Sequence, residues 1–270
     1  MAYNSVKEAM TALGDAIRNY LGIEWQRPLK IEEMVSLVPE VHNVGKSDGA
    51  EEEYNRFWDS FQGNGASRAE SGTFAGSGWT DATFKPKYDL QPTNANQMFW
   101  SSAIGNIVQC LEDAGVTADF SKSGNMTATF SYSKTTHVPF VDMSAAKTNT
   151  NNVFASASKL QWIEGIKVIS TNTSLSNIFS SCSALTHVVF SADSQINSNL
   201  NLSAAKGLDE ESIRSIFAAL HSSTTARTLT LSTDAVNGAF TSESGATGEA
   251  TGEWAELIAA KPSNWTVTLV

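Results

Sequence analysis

The chain reads as an α+β protein: an N-terminal helical hairpin, then a β solenoid, then a mixed α/β unit that caps it. Four features carry this reading. The first forty residues hold an apolar stripe at helical spacing, and "NNVFASASKL" at 151–160 is nearly repeated as "SNIFSSCSAL" at 176–185. After residue 200 the chain alternates short β-prone runs with an amphipathic helix. A palette rich in Ser, Thr, Asn, Ala and Gly from residue 120 onward suits turn-rich β structure better than a long-helix core.

In the first segment, residues 1–41, Val6, Met10, Leu13, Ile17 and Tyr20 or Leu21 recur at steps of four and three, giving one apolar face on a helix. Asn4 or Ser5 can cap it and Gly22 follows its end. Pro28 opens a second short helix carrying Ile31, Met34, Val35 and Val38, with Pro39 near its close. Such a hairpin either packs on its own domain or pairs with copies of itself or with an assembly partner. The Gly/Asp/Ser/Lys stretch "HNVGKSDGAEE" detaches it from the downstream chain and favours pairing.

Residues 42–93 read as a linker and an aromatic helix leading into the solenoid. Tyr54, Phe57, Trp58 and Phe61 share a helical face, and Glu51, Glu52 and Glu53 sit where the helix dipole favours carboxylates. The Gly/Ser-rich "QGNGASRAESGTFAGSGW" lacks both the Gly-Lys-Ser/Thr ending and the preceding strand of a phosphate loop. "FKPKYDLQPTNA" reads as extended chain, because residues before proline avoid the α region.

Residues 94–200 carry the repeat. Phe130, Phe154 and Phe179 are 24 and 25 residues apart, with a degenerate earlier copy at Phe99. Leu160 and Leu185 each follow their Phe by six positions. A β-prone run succeeds each copy: "THVPFVDMS", "LQWIEGIKVIS" and "LTHVVFS". One strand per 20–29 residues is the mark of a leucine-rich-repeat-like solenoid, in which each unit buries its apolar side chains against the next. The Asn near each Phe is expected to bond backbone at the bend.

Residues 201–270 leave that period. "LNLS", "RTLTLS" and "NWTVTLV" read as strands, and "DEESIRSIFAAL" as a helix capped by Asp209. A shorter helix, "EWAELIAAK", comes after a polar loop.

Several classes are disfavoured. A net charge of −10 with no Lys/Arg cluster argues against nucleic acid. Cys110 and Cys182 match no metal or redox spacing and read as buried free thiols. No apolar run reaches the length of a membrane span, and "MAYNSVKEAM" lacks the features of a secretory signal. His137 and His187 fall at equivalent places in "TH-V", as repeat surface rather than metal ligands. Neither a catalytic constellation nor a metal or cofactor site is expected, so the chain reads as a non-enzyme.

"NIFSSCSALTHVVF" resembles the BspA-type variant of leucine-rich repeats, with its Phe-x-x-Cys-x-x-Leu-x-x-Val-x-Phe logic. The order of "LGDAIRNYLGIEWQRPLKIEEMVSLV" (13–38) and "YNRFWDSFQGNG…GWTDATFKPKYDLQPTNANQMF" (54–99) resembles bacteriophage tail, baseplate and fibre proteins. That resemblance implies a virion structural protein made in the host cytoplasm. Its hairpin would dock on other virion proteins and form a homo-oligomer, and its repeats would meet a host surface glycan or protein. A connector or decoration protein without a receptor role, or a bacterial surface adhesin, is the alternative. If the ligand is a sugar, Trp79, Trp100 and Trp162 are candidates for stacking, against the plainer reading that they pack in the core.

Overall fold

The computed structural model describes residues 71–240 and 252–270. The predicted hairpin, with Val6, Met10, Leu13, Ile17, Leu21, Ile31, Met34 and Val35, lies outside the described residues, as does the aromatic helix over 50–61. The described elements run α1 (Ile107–Ala114), β1 (His137–Val138), β2 (Val141–Asp142), β3 (Trp162–Lys167) and β4 (His187–Phe190). They continue with β5 (Leu200–Leu202), α2 (Glu210–Ala219), β6 (Arg227–Leu231), α3 (Thr233–Ala239), α4 (Gly252–Ala260) and β7 (Trp265–Leu269).

The expected BspA-type solenoid is not what forms. The described residues make an α+β arrangement with four helices and two small, separate parallel sheets. In the first sheet β1 and β2 lie end to end along one side of β3, and β4 lies along the other. Pro139, which has no backbone N–H, stands between β1 and β2 and explains their separation. In the second sheet β6 is central between β5 and β7.

Two helices stop the first sheet from continuing. On the β1 side only the bridge Asn106↔His137 forms, because Asn106 then caps α1 by accepting from the Gln109 N–H at 3.0 Å. On the β4 side α2 takes the place of a next strand. The Val188 N–H donates to Ser212 Oγ at 2.9 Å and the Phe190 N–H to Ser215 Oγ at 3.2 Å. Ser212 and Ser215 are one helical turn apart, a spacing that meets every second N–H of a strand edge. The 25-residue period of the sequence therefore predicts a longer sheet than the chain builds.

Inside the first body, rings stack. Phe99 and Phe130 lie 5.3 Å apart, Phe130 and Phe154 5.4 Å, and Phe154 and Phe179 5.6 Å, each pair within 8° of parallel. The column begins earlier, at Phe74, 5.2 Å from Phe99. Phe84 and Phe120 meet its rings edge-on. All these rings are buried, as are Leu160 and Leu185.

Each Phe sits in a tight turn that hands its N–H groups to the next turn. The N–H groups of Gln97, Phe99 and Ser101 donate to the carbonyls of Thr127, Thr129 and Ser131, and those of Ala128, Phe130 and Tyr132 to Asn151, Val153 and Ala155. This pattern puts the residue two before and the residue two after the Phe in the left-handed region: Gly72 and Gly76, Gln97 and Ser101, Ala128 and Tyr132, Asn152 and Ser156, and Ser181. Of the bend asparagines, Asn125 accepts from the Thr127 N–H at 3.0 Å, whereas Asn152 itself takes the left-handed backbone.

The second sheet follows its alternation. Leu229 and Leu231 are buried beside Leu200 and Leu202. Thr228 and Thr230 pair with Thr266 and Thr268 on the other face. Asp209 caps α2 as its sequence predicts, accepting from the Ser212 N–H at 2.8 Å. Trp265 is buried and its indole N–H donates to the His221 carbonyl at 3.0 Å.

Candidate functional site

Among the described residues, two aromatic groupings reach the surface. The first crosses the outer face of the first sheet, where the register sets His137, Trp162 and His187 side by side on β1, β3 and β4. The Trp162 ring lies 3.6 Å from the His187 ring and 5.8 Å from the His137 ring, nearly parallel to both. Because the histidines come from the strands on either side of β3, they flank Trp162 on both sides, and its ring remains partly exposed. Further along, Phe140 lies over Gly165, where a Cβ would come within 2.8 Å of the Phe140 ring. The glycine permits that close approach.

His187 is 6% exposed, and its Nδ1 lies 2.7 Å from Asp209 Oδ2. Partial burial pushes the Asp209 carboxyl up, but the hydrogen bonds from Ser212 and His187 outweigh it and hold the group below the ordinary carboxylate range. A carboxyl lowered on folding adds stability that is present above its unfolded pKa, about 3.9, and is lost as pH falls through the folded value. Asp209→Asn should thus lower stability at neutral pH and flatten the acid limb. Equal slopes of stability against pH for both proteins below about pH 4 would contradict this. Denaturant melts across that range make the comparison.

The second grouping is Trp100 with Tyr132, whose rings meet edge to face at 6.3 Å. Trp100 is 40% and Tyr132 60% exposed. They come from neighbouring turns of the Phe stack, since the Ser101 N–H donates to the Ser131 carbonyl at 2.9 Å. Trp79 is half-buried and lies edge-on to Phe74 and Phe84, in the wall of the column. Of the three predicted tryptophans, Trp79 therefore serves packing, Trp162 is sandwiched, and Trp100 presents its ring with Tyr132. Sequence reasoning misses Tyr132. Aligning the copies on their Phe is the signal that finds it, because Ser156 and Ser181 occupy the same place in the later copies.

Other hollows lie among the described residues. One of about 310 Å³ is lined by Asp81, Phe84, Lys85, Cys110, Asp113 and Ala114. There Asp81 Oδ1 accepts from the Gly105 N–H at 2.5 Å and the Asn106 N–H at 3.3 Å, which ties Asp81 to the start of α1. Burial, with Asp81 and Asp113 nearby, pushes the Cys110 thiol up to about 11. Burial pushes Cys182 up to about 12. Neither is a thiolate nucleophile at neutral pH. An open groove of about 580 Å³ beside α2 contains Arg214, which is paired with Glu210 and Glu253.

Among the described residues, no three His, Cys, Asp or Glu side chains gather to hold a metal, and no helix is long and apolar enough to cross a membrane. Comparison with protein-family models, with curated proteins and with solved structures returns no match to this chain.

Proposed function

We propose that this chain is a non-enzymatic surface-binding component of a phage particle, of the tail-fibre or baseplate class. Its N-terminal segment attaches it to other virion proteins and to copies of itself, and its Phe-stacked body meets the host surface. The virion assignment is supported by the resemblance of residues 13–38 and 54–99 to such proteins. The binding role is supported by one observation: Trp100 and Tyr132 stand exposed on turns that are locked to their neighbours by backbone hydrogen bonds. Large side chains held rigidly outward lose little conformational entropy on contact, which favours recognition. Several copies on one particle would turn weak contacts into avidity.

Two measurements on the full chain test this reading. The mass in solution should be that of an oligomer, and deletion of residues 1–41 should reduce it to a monomer. Labelled oligomer should bind whole bacterial cells, with the monomer binding far less. A monomer in both forms with no binding to any cell would overturn the proposal, and oligomerisation without cell binding would favour a connector role.

A further inference from the structure

We infer that Trp100 and Tyr132 form a stacking site for a neutral pyranose, the sugar-binding part of the surface role proposed above, and the inference rests on that reading. The residue two after the Phe is Gly76, Ser101, Tyr132, Ser156 and Ser181 in successive turns, and each of these has a positive φ. Small residues tolerate that conformation, whereas a bulky ring there is an outlier. Tyr132 has a φ of 58° and is 60% exposed, so it adds little to the core in return for the strain. Left-handed strain carried by a bulky exposed residue points to function.

The residue one after the Phe is Ala75, Trp100, Ser131, Ala155 and Ser180, so Trp100 is likewise the one large side chain in its row. Ser131 and Ala155 in that row are buried, whereas Trp100 is 40% exposed. The two exceptions fall on adjacent turns and touch.

Along the stack Tyr132 is flanked by Ser101 on one side and by Ser156 and then Ser181 on the other, the turns being joined by Tyr132 N–H to Ala155 and Ser156 N–H to Ser180. Hydroxyls at the spacing of the stacked turns, 5.3–5.6 Å between rings, continue from the aromatic pair at about the pitch of one sugar ring. The C–H face of a pyranose would lie on the rings and its hydroxyls would meet the serines. A stable protein interface buries roughly 800 Å² on each side around a desolvated core, and two rings bordered by serines are a small patch by comparison. The net charge of −10 disfavours an acidic polysaccharide.

Calorimetric titration of the full chain with neutral hexasaccharides of glucose, mannose and N-acetylglucosamine tests the site. Trp100→Ser and Tyr132→Ser place a small residue where the neighbouring turns carry one, so both variants should fold; Tyr132→Ser, which relieves the left-handed strain, should melt at or above the parent temperature, and Trp100→Ser, which gives up a ring only 40% exposed, somewhat below it. Each should weaken binding of the responsive hexasaccharide by at least about tenfold. Undiminished binding in both variants would overturn the site. So would a parent chain that binds no hexasaccharide yet binds cells in a protease-sensitive manner, an outcome that leaves the surface-binding proposal standing with a protein receptor. Hexasaccharide binding that needs both rings, in a chain that binds no cells, would uphold the site and overturn the host-surface role instead.

Discussion

Phe154→Ala is expected to lower the stability of the folded chain by about 3–5 kcal/mol, the range for emptying a fully buried aromatic site. Phe154 is flanked on both faces, by Phe130 at 5.4 Å and Phe179 at 5.6 Å, and has no exposed surface. Its neighbours cannot close the gap, because their backbones are fixed: the Phe130 N–H donates to the Val153 carbonyl at 2.7 Å and the Phe154 N–H to the Ile178 carbonyl at 3.0 Å. Collapse would require those bonds to break. Phe154→Leu should lose less, since it fills part of the same space. Denaturant unfolding measures both, and a loss below about 1 kcal/mol for Phe154→Ala would show that the column can relax after all.

Asn172→Ala should cost about 2–3 kcal/mol through a different cause, an orphaned donor. Asn172 is fully buried; its Oδ1 accepts from the Ile169 N–H at 2.7 Å, and its Nδ2 donates to the Met143 carbonyl at 2.9 Å and the Lys147 carbonyl at 3.2 Å. Those carbonyls keep other donors, the N–H groups of Ala146 and Thr173. The Ile169 N–H has no such second partner among the described residues, so its desolvation dominates the loss. Asn172→Asp separates the contributions. It keeps the acceptor for Ile169 but turns a carboxylate toward two carbonyl oxygens. Burial and those oxygens raise its pKa, so the variant should be least stable at neutral pH and recover on acidification as the carboxyl gains a proton. Stability that falls monotonically with acid would refute this.

Both residues bear on how far the sequence can be read. The Phe step of 24 and 25 residues is plain in it, and so is the Asp209 cap, because each rests on local chemistry. The extent of the sheet is not plain. Whether a turn is followed by a strand or by a helix depends on what meets the strand edge, and Ser212 and Ser215 look like ordinary polar positions on α2 until β4 is beside them. The turn at Phe74 is hidden for a related reason. Glycines at 72 and 76 suit the left-handed positions so well that the stretch reads as a loop. Asn172 lies between copies, and nothing about an Asn in "STNTS" announces a buried side chain with three backbone partners. At the candidate site, Trp100 is legible only by its type, as a ring suited to stacking, while its pairing with Tyr132 needs the register between turns. The two stacked histidines are legible as equivalent positions, but their closing over Trp162 is not.

The serine contacts on β4 have a consequence for life at high local concentration. A short parallel sheet with a bare edge is a template for the strand of another copy, and crowded chains would meet edge to edge repeatedly. Here the two amides that would recruit such a strand, at Val188 and Phe190, are already bound to hydroxyls of α2, and the helix body stands over the edge. The same two serines that end the sheet therefore also keep that edge from seeding a fibre.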